Sequence, residues 1–326
     1  MEQRTIIVNG YAYPDINPEL LQRTLPNLTL ISNFSYGLTA EGGLLLLDDQ
    51  AILDLAIPAG VKPLMVLTAL SERGNFDGQA IGRLLASEES QEALIDQILI
   101  TLNEKNMFGV DFDFEYIPAE DRETYAALIR RTAERLNAQG YLVTAAVAPK
   151  TSSDQSGLLY EGHDYGLIGA AANLTLLMTY EWGYTYSEPM AVAPLPQVRR
   201  VIEYGLTQIP AEKILMGIPN YGYDWTLPHV PGQSKARLIG NEEALWLAGY
   251  YGAEVQFDPV AQSPWFYYWD QEGRQHEVWF EDERSIRAKL SLVEEYDLAG
   301  VSYWNLMRPF HANWEVLNEM FQVAKL

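Results

Sequence analysis

The stretch Phe108-Gly109-Val110-Asp111-Phe112-Asp113-Phe114-Glu115-Tyr116 decides the fold. Its three carboxylates alternate with large apolar residues, which is the period of a β-strand and not of a helix. In a strand, Asp111, Asp113 and Glu115 share one face while Val110, Phe112 and Phe114 share the other. A half-buried strand usually turns its charges to water, but the neighbouring sequence predicts that both faces are enclosed. Three acids on one enclosed face cannot all ionise at ordinary pKa values, because like charges at close range push at least one pKa upward. That makes a proton donor usable near neutral pH.

Outward from this stretch the chain alternates strand and helix. Strands are expected at Thr5–Asn9, Leu28–Tyr36, Lys62–Leu70, the acidic stretch itself, Tyr141–Val147, Asn173–Tyr180, Ile214–Tyr221 and Gly300–Leu306. Helices are expected at 17–23, 48–56, 87–105, 118–139, 195–207, 285–296 and 313–321, with Gly140 as a C-terminal stop. A loop over 148–169 carries Lys150, His163 and Tyr165. Between about 222 and 284 the sequence turns rich in Trp, Tyr, Pro and Gly, which predicts a small α+β insertion between strand 7 and helix 7. Eight such units predict an α/β fold, a parallel (β/α)8 TIM barrel. A barrel of about 250 residues plus the insertion accounts for the length, so residues 1–326 are expected to form a single domain.

Composition narrows the function. A net charge of −22 with no basic cluster argues against a nucleic-acid partner. No cysteine is present, which removes disulfides and thiolate metal sites. The four histidines, His163, His229, His276 and His311, lack ligand spacing, so a histidine-based metal site is not expected. The longest apolar runs, such as Leu44–Leu47, are too short to span a membrane. The first residues, Met1-Glu2-Gln3-Arg4-Thr5, have no basic or apolar leader region, so the expectation is synthesis in the cytoplasm without an export signal. A monomer is expected.

In a barrel of this kind the site lies at the C-terminal strand ends. Glu115 falls at the end of the fourth strand, and Tyr36, Tyr180, Tyr221 and Trp304 fall at the ends of the second, sixth, seventh and eighth. Aromatic faces around a carboxylic acid suit a sugar ring, whose C–H faces pack on aromatics while its hydroxyls need polar partners.

With these residues in view, the chain resembles glycoside hydrolase family 18, the chitinase and N-acetylglucosaminidase family, whose fourth strand carries D-G-x-D-x-D-x-E. The matching segments are Asn33–Tyr36, Gly109–Glu115, Met178–Tyr180, Gly217–Gly222 and Ser302–Trp304. Met178–Tyr184 and Ile218–Trp225 resemble the spore-germination branch, which cuts cortex peptidoglycan fragments. The resemblance implies a retaining, substrate-assisted hydrolysis of β-1,4 bonds at N-acetylglucosamine. Glu115 then protonates the glycosidic oxygen and later activates water. Asp113 holds the acetamido N–H, Asp111 shares a proton with Asp113, Tyr180 bonds the acetamido oxygen, and Trp304 floors the sugar subsite. Tyr36, Met178, Glu181, Tyr221 and Trp182 complete the expected substrate contacts. No metal or organic cofactor is implied.

The resemblance further implies cis peptides at Ser35–Tyr36 and Trp304–Asn305, and deposition in the spore coat or cortex. Departures from the family pattern are Phe108 for its first Asp, Glu181 for the Asp after the sixth-strand Tyr, and Thr68-Ala69-Leu70-Ser71 for Ser-x-Gly-Gly. No LysM-type repeat is expected within residues 1–326. The competing readings are a chitinase or chitooligosaccharide hydrolase and a catalytically silent sugar-binding protein. Trp182, Tyr184 and Trp225 read equally well as packing between insertion and barrel, and Asp224 and His163 as structural.

Overall fold

The computed structural model describes residues 3–70, 74 and 78–326, so Met1, Glu2 and Ser71 lie outside the described residues. Eight parallel strands form the barrel: β1 Thr5–Ala12, β2 Leu30–Leu38, β3 Lys62–Leu67, β4 Gly109–Phe112, β5 Leu142–Val147, β6 Leu174–Leu177, β7 Ile214–Pro219 and β8 Gly300–Trp304. Each pairs with its sequence neighbours, and β1 closes the ring by pairing with both β2 (Asn9 opposite Leu30) and β8 (Asn9 opposite Ser302). Gly109 is needed where β4 meets β5, because a Cβ there would lie 2.0 Å from the Leu142 carbonyl oxygen. Apolar residues from both faces of the strands and from the surrounding helices form one continuous core.

The acidic strand is shorter than its alternation predicts. The ladder ends at Phe112, and only the Asp113 N–H continues the pattern, donating to the Leu67 carbonyl at 3.0 Å. Beyond it the chain leaves the sheet, and Tyr116 has φ 58°. Two helices escaped the periodicity reading. Gly78–Leu85 follows β3, and Tyr165–Ala171 lies inside the expected loop between β5 and β6. The second is short and rich in Gly and Ala, which hides its apolar period. Its start is marked by Asp164, whose side chain accepts the Leu167 N–H. The helix expected from Pro118 begins as a 3₁₀ turn over Ala119–Asp121 and becomes α-helical at Arg122.

The insertion between β7 and the helix Glu283–Glu295 is a five-stranded antiparallel sheet with one helix, Asn241–Tyr251. One sheet face, with Phe266, Tyr268, Val278 and Phe280, packs on Ala244, Leu247 and Ala248 of that helix. The other sends Tyr223, Trp225 and Trp279 into the barrel core. Asp224 is buried within the insertion, where it accepts hydrogen bonds from Tyr268 at 2.6 Å and His276 at 2.8 Å. Among the described residues no helix is long and apolar enough to cross a membrane, and no group of ligating side chains is arranged to hold a metal ion.

Candidate active site

The C-terminal strand ends surround a cavity of about 660 Å³. Asp113, Glu115, Met178, Tyr180, Glu181, Tyr221 and Trp304 line it, drawn together from β4, β6, β7 and β8. The three acids of the β4 stretch occupy three different environments. Asp111 is deepest, 1% exposed, and both of its oxygens are engaged: Tyr11 of β1 donates to Oδ2 and Thr144 of β5 to Oδ1, each at 2.6 Å. Burial raises its pKa, and these two hydrogen bonds offset only part of the rise. Asp111 is therefore anchored to β1 and β5 by both of its oxygens.

Asp113 stands one step up. Its Oδ1 is buried with no protein hydrogen-bond partner. Burial first, then the charges of Glu115 and Asp111, hold its pKa well above the ordinary carboxylate value. Glu115 reaches solvent through the cavity mouth while its carboxyl remains surrounded by low-dielectric walls. That crowding, followed by the Glu181 charge, raises its pKa. The arrangement therefore raises the proton affinity of acids at the base and mouth of one cavity.

The wall opposite β4 is aromatic. Trp304 at the end of β8 packs against Tyr11 (ring centroids 5.2 Å apart), Phe34 (5.1 Å) and Tyr13 (6.1 Å). Tyr180 is buried, and its hydroxyl pKa is driven well up by burial and then by Asp113. Glu181 adopts φ 71° and accepts hydrogen bonds from Tyr221 at 2.5 Å and Tyr223 at 2.9 Å, which tie the rim of β6 to β7 and the insertion.

An acid at the end of β4, a second carboxylate beneath it and an aromatic floor at β8 match a family pattern over most of the chain. The model of glycosyl hydrolases family 18 matches residues 64–308. The chain belongs to glycosyl hydrolases family 18. Within that family it is 39% identical to the cortical fragment-lytic enzyme of Bacillus subtilis, over 99% of this chain and 76% of that protein. Its structure superposes on the Bacillus cereus spore cortex-lytic enzyme SleL with TM-score 0.95 and 35% identity, covering 100% of this chain and 76% of that one. A chitinase from Chromobacterium violaceum, 24% identical, shares the fold with TM-score 0.89 over 97% of this chain and 98% of the other. The family 18 membership and these relatives identify the chain as a glycoside hydrolase.

Not every family 18 contact expected from the sequence reaches the cavity. Tyr36 is a correction: it is 0% exposed and turned into the layer behind β2, where its hydroxyl donates to Asp49 and accepts from Lys105, both at 2.8 Å. Phe34, two residues earlier, lines the cavity in its place. Trp182 is half-buried against the core and is not part of the cavity lining. Among the described residues the non-proline cis peptides are Phe34–Ser35, one residue before the expected bond, and Trp304–Asn305, as expected.

Sequence reasoning missed Tyr11, Tyr13 and Tyr116, all of which line the cavity. The first strand was read as ending at Asn9, so Tyr11 and Tyr13 fell in a turn, although their spacing continues the strand period. His163, read as structural, is fully buried and bridges two strand ends. Because the Ala148 N–H donates to Nδ1 at 2.9 Å, the proton sits on Nε2, which donates to the Phe114 carbonyl at 2.7 Å. Burial lowers its pKa to about 4, consistent with a neutral ring.

Proposed function

We propose that the protein cleaves β-1,4 bonds at N-acetylglucosamine by substrate-assisted, retaining hydrolysis, and that its substrate is spore cortex peptidoglycan fragments. The observation that carries the mechanism is the buried Oδ1 of Asp113, an acceptor without a protein donor on the cavity wall beside Glu115. A buried acceptor is costly unless something donates to it. An acetamido N–H in the cavity supplies that donor and turns the acetamido carbonyl toward the anomeric carbon.

The steps then follow from the environments of the side chains. Glu115, whose surroundings raise its pKa and so favour the acid form, gives its proton to the leaving oxygen while the acetamido oxygen forms the new bond to the anomeric carbon. Asp113 stabilises the positive charge of the resulting oxazolinium, and Tyr180 donates its hydroxyl hydrogen to the acetamido oxygen. Glu115, now ionised, takes a proton from the water that reopens the ring with retained configuration. Asp111, secured by Tyr11 and Thr144, adds negative charge beneath Asp113. Trp304 supports the sugar face, and Met178, Glu181 and Tyr221 frame its rim. No metal or organic cofactor takes part.

The choice of cortex fragments over chitin rests on the relatives named for cortical and spore-cortex lysis. Action as a monomer in the spore coat or cortex is part of the same proposal. Purified cortex fragments and chitin oligomers, digested separately and followed by mass spectrometry and anomeric NMR, test it. Faster release from cortex fragments with the β-anomer formed first is the expected result, and Glu115→Gln should lose about 10²–10⁴-fold in kcat. Unchanged turnover by that variant, or an α-anomer as first product, sinks the mechanism. Preference for chitin oligomers sinks the substrate assignment alone.

A further inference from the structure

Among the described residues, five that are not glycine have φ in the left-handed region, and two of them, Tyr116 at 58° and Glu181 at 71°, line the cavity. Such a backbone is unfavourable for a bulky aromatic and is retained only where the surrounding structure imposes it. Glu181 uses it to meet Tyr221 and Tyr223. Tyr116 gains no comparable packing: its side chain is 57% exposed, directly after Glu115, with the ring at the cavity mouth. An exposed, backbone-constrained aromatic on a cavity wall suits a ligand face better than it suits the core.

Position in the barrel indicates which part of the ligand. β4 and β8 face one another across an eight-stranded ring, so Trp304 and Tyr116 rise from opposite walls with Asp113 and Glu115 between them. The sugar that donates its acetamido group sits between Asp113 and Trp304. The oxygen that Glu115 protonates carries the leaving saccharide, which extends outward past Glu115 to the next residue in the chain.

We propose that Tyr116 is the platform for the leaving-side pyranose, stacking on the C–H face of the saccharide released when Glu115 protonates the bond. The inference rests on the hydrolytic reading above and assigns its leaving-group subsite. Its consequence is that Tyr116 discriminates by what lies beyond the scissile bond: a substrate with a sugar there uses the ring, and one with a compact leaving group does not.

The test compares wild type, Tyr116→Ala and Tyr116→Phe on the N-acetylglucosamine tetramer and on the β-fluoride of the N-acetylglucosamine disaccharide, whose leaving group offers nothing to stack. Tyr116→Ala should lose about tenfold more in kcat/KM on the tetramer than on the fluoride, with the difference mainly in KM. Tyr116→Phe, which keeps the ring face, should restore tetramer cleavage and guards against misfolding of the alanine variant. Equal losses on the two substrates would show that Tyr116 merely positions Glu115, and wild-type tetramer kinetics in Tyr116→Ala would show that the ring touches no sugar; either overturns the inference. If wild type cleaves neither compound, the same comparison is made on cortex fragments, where kcat/KM unchanged by Tyr116→Ala overturns the inference; no cleavage of cortex fragments either overturns the hydrolytic reading itself.

Discussion

Replacing Asp113 with asparagine should make the protein more stable at neutral pH while abolishing activity. The Oδ1 of the carboxyl is buried without a protein partner, and the group's pKa is held well above 3.8 by burial and then by Glu115 and Asp111. Folded Asp113 keeps its proton to higher pH than the unfolded chain does. Between pH 3.8 and the raised native value the folded state binds more protons, so stability falls as pH climbs, by about 1.4 kcal/mol for each unit of the shift. Asparagine has the same shape and no charge to desolvate, so it escapes the cost of ionising the carboxyl, about 1.4 kcal/mol for each pH unit by which the pKa is raised. For a chain of this length that corresponds to a rise in Tm of about 2–5 °C at pH 7. The gain should shrink toward zero as the pH approaches 4, where Asp113 is protonated in the folded state and increasingly so in the unfolded chain. Thermal and urea unfolding of both proteins from pH 4 to 8, beside oligosaccharide turnover, measures this. A variant no more stable at pH 7, or one equally stabilised at every pH, refutes the view that Asp113 is a destabilising ionisable group retained for catalysis.

Two further outcomes follow from residues around the site. Tyr36→Phe removes one of the hydrogen bonds on buried Asp49 and should cost about 1–3 kcal/mol in unfolding experiments with KM unchanged; a large rise in KM would place Tyr36 back among the sugar contacts. His163 has its pKa lowered from 6.5 to about 4, so the unfolded chain binds the extra proton first and stability is lost as pH falls from 6.5 through 4. That loss amounts to about 3 kcal/mol and runs opposite in sign to the Asp113 effect. His163→Gln, able to donate to Phe114 and accept from Ala148, should remove this pH dependence and retain turnover, whereas His163→Leu should lower both stability and kcat. Equal pH dependence in wild type and His163→Gln, measured by urea titration, would contradict the assignment.

The barrel was legible because its cause is local. Strand and helix periods repeat along the chain, and eight repeats admit few closed arrangements. The order of the acids was legible for the same reason: residues two apart on one strand rise along one face, which sets Asp111 below Asp113, and Glu115 follows where the chain leaves the sheet at the mouth. Where the local signal weakened, the reading slipped. The Gly- and Ala-rich helix Tyr165–Ala171 and the strand end at Tyr11 were both lost to composition or to an early boundary.

What the chain alone could not settle depends on contacts between distant segments. Asp111 takes its two donors from Tyr11, 100 residues before it, and Thr144, 33 residues after it; no spacing rule announces either. Tyr36 shows the same limit within a single strand. The register between β2 and β3 shifts between Asn33 and Tyr36, and because side chains alternate with period two, such an irregularity changes which face each later residue occupies. Phe34 turned to the cavity and Tyr36 to Asp49 and Lys105. Sequence determined that eight strands would present an ordered set of acids at one end of a barrel. Only the closed tertiary structure decided which aromatics face those acids, since that depends on register and on side chains that meet only when the ring is complete.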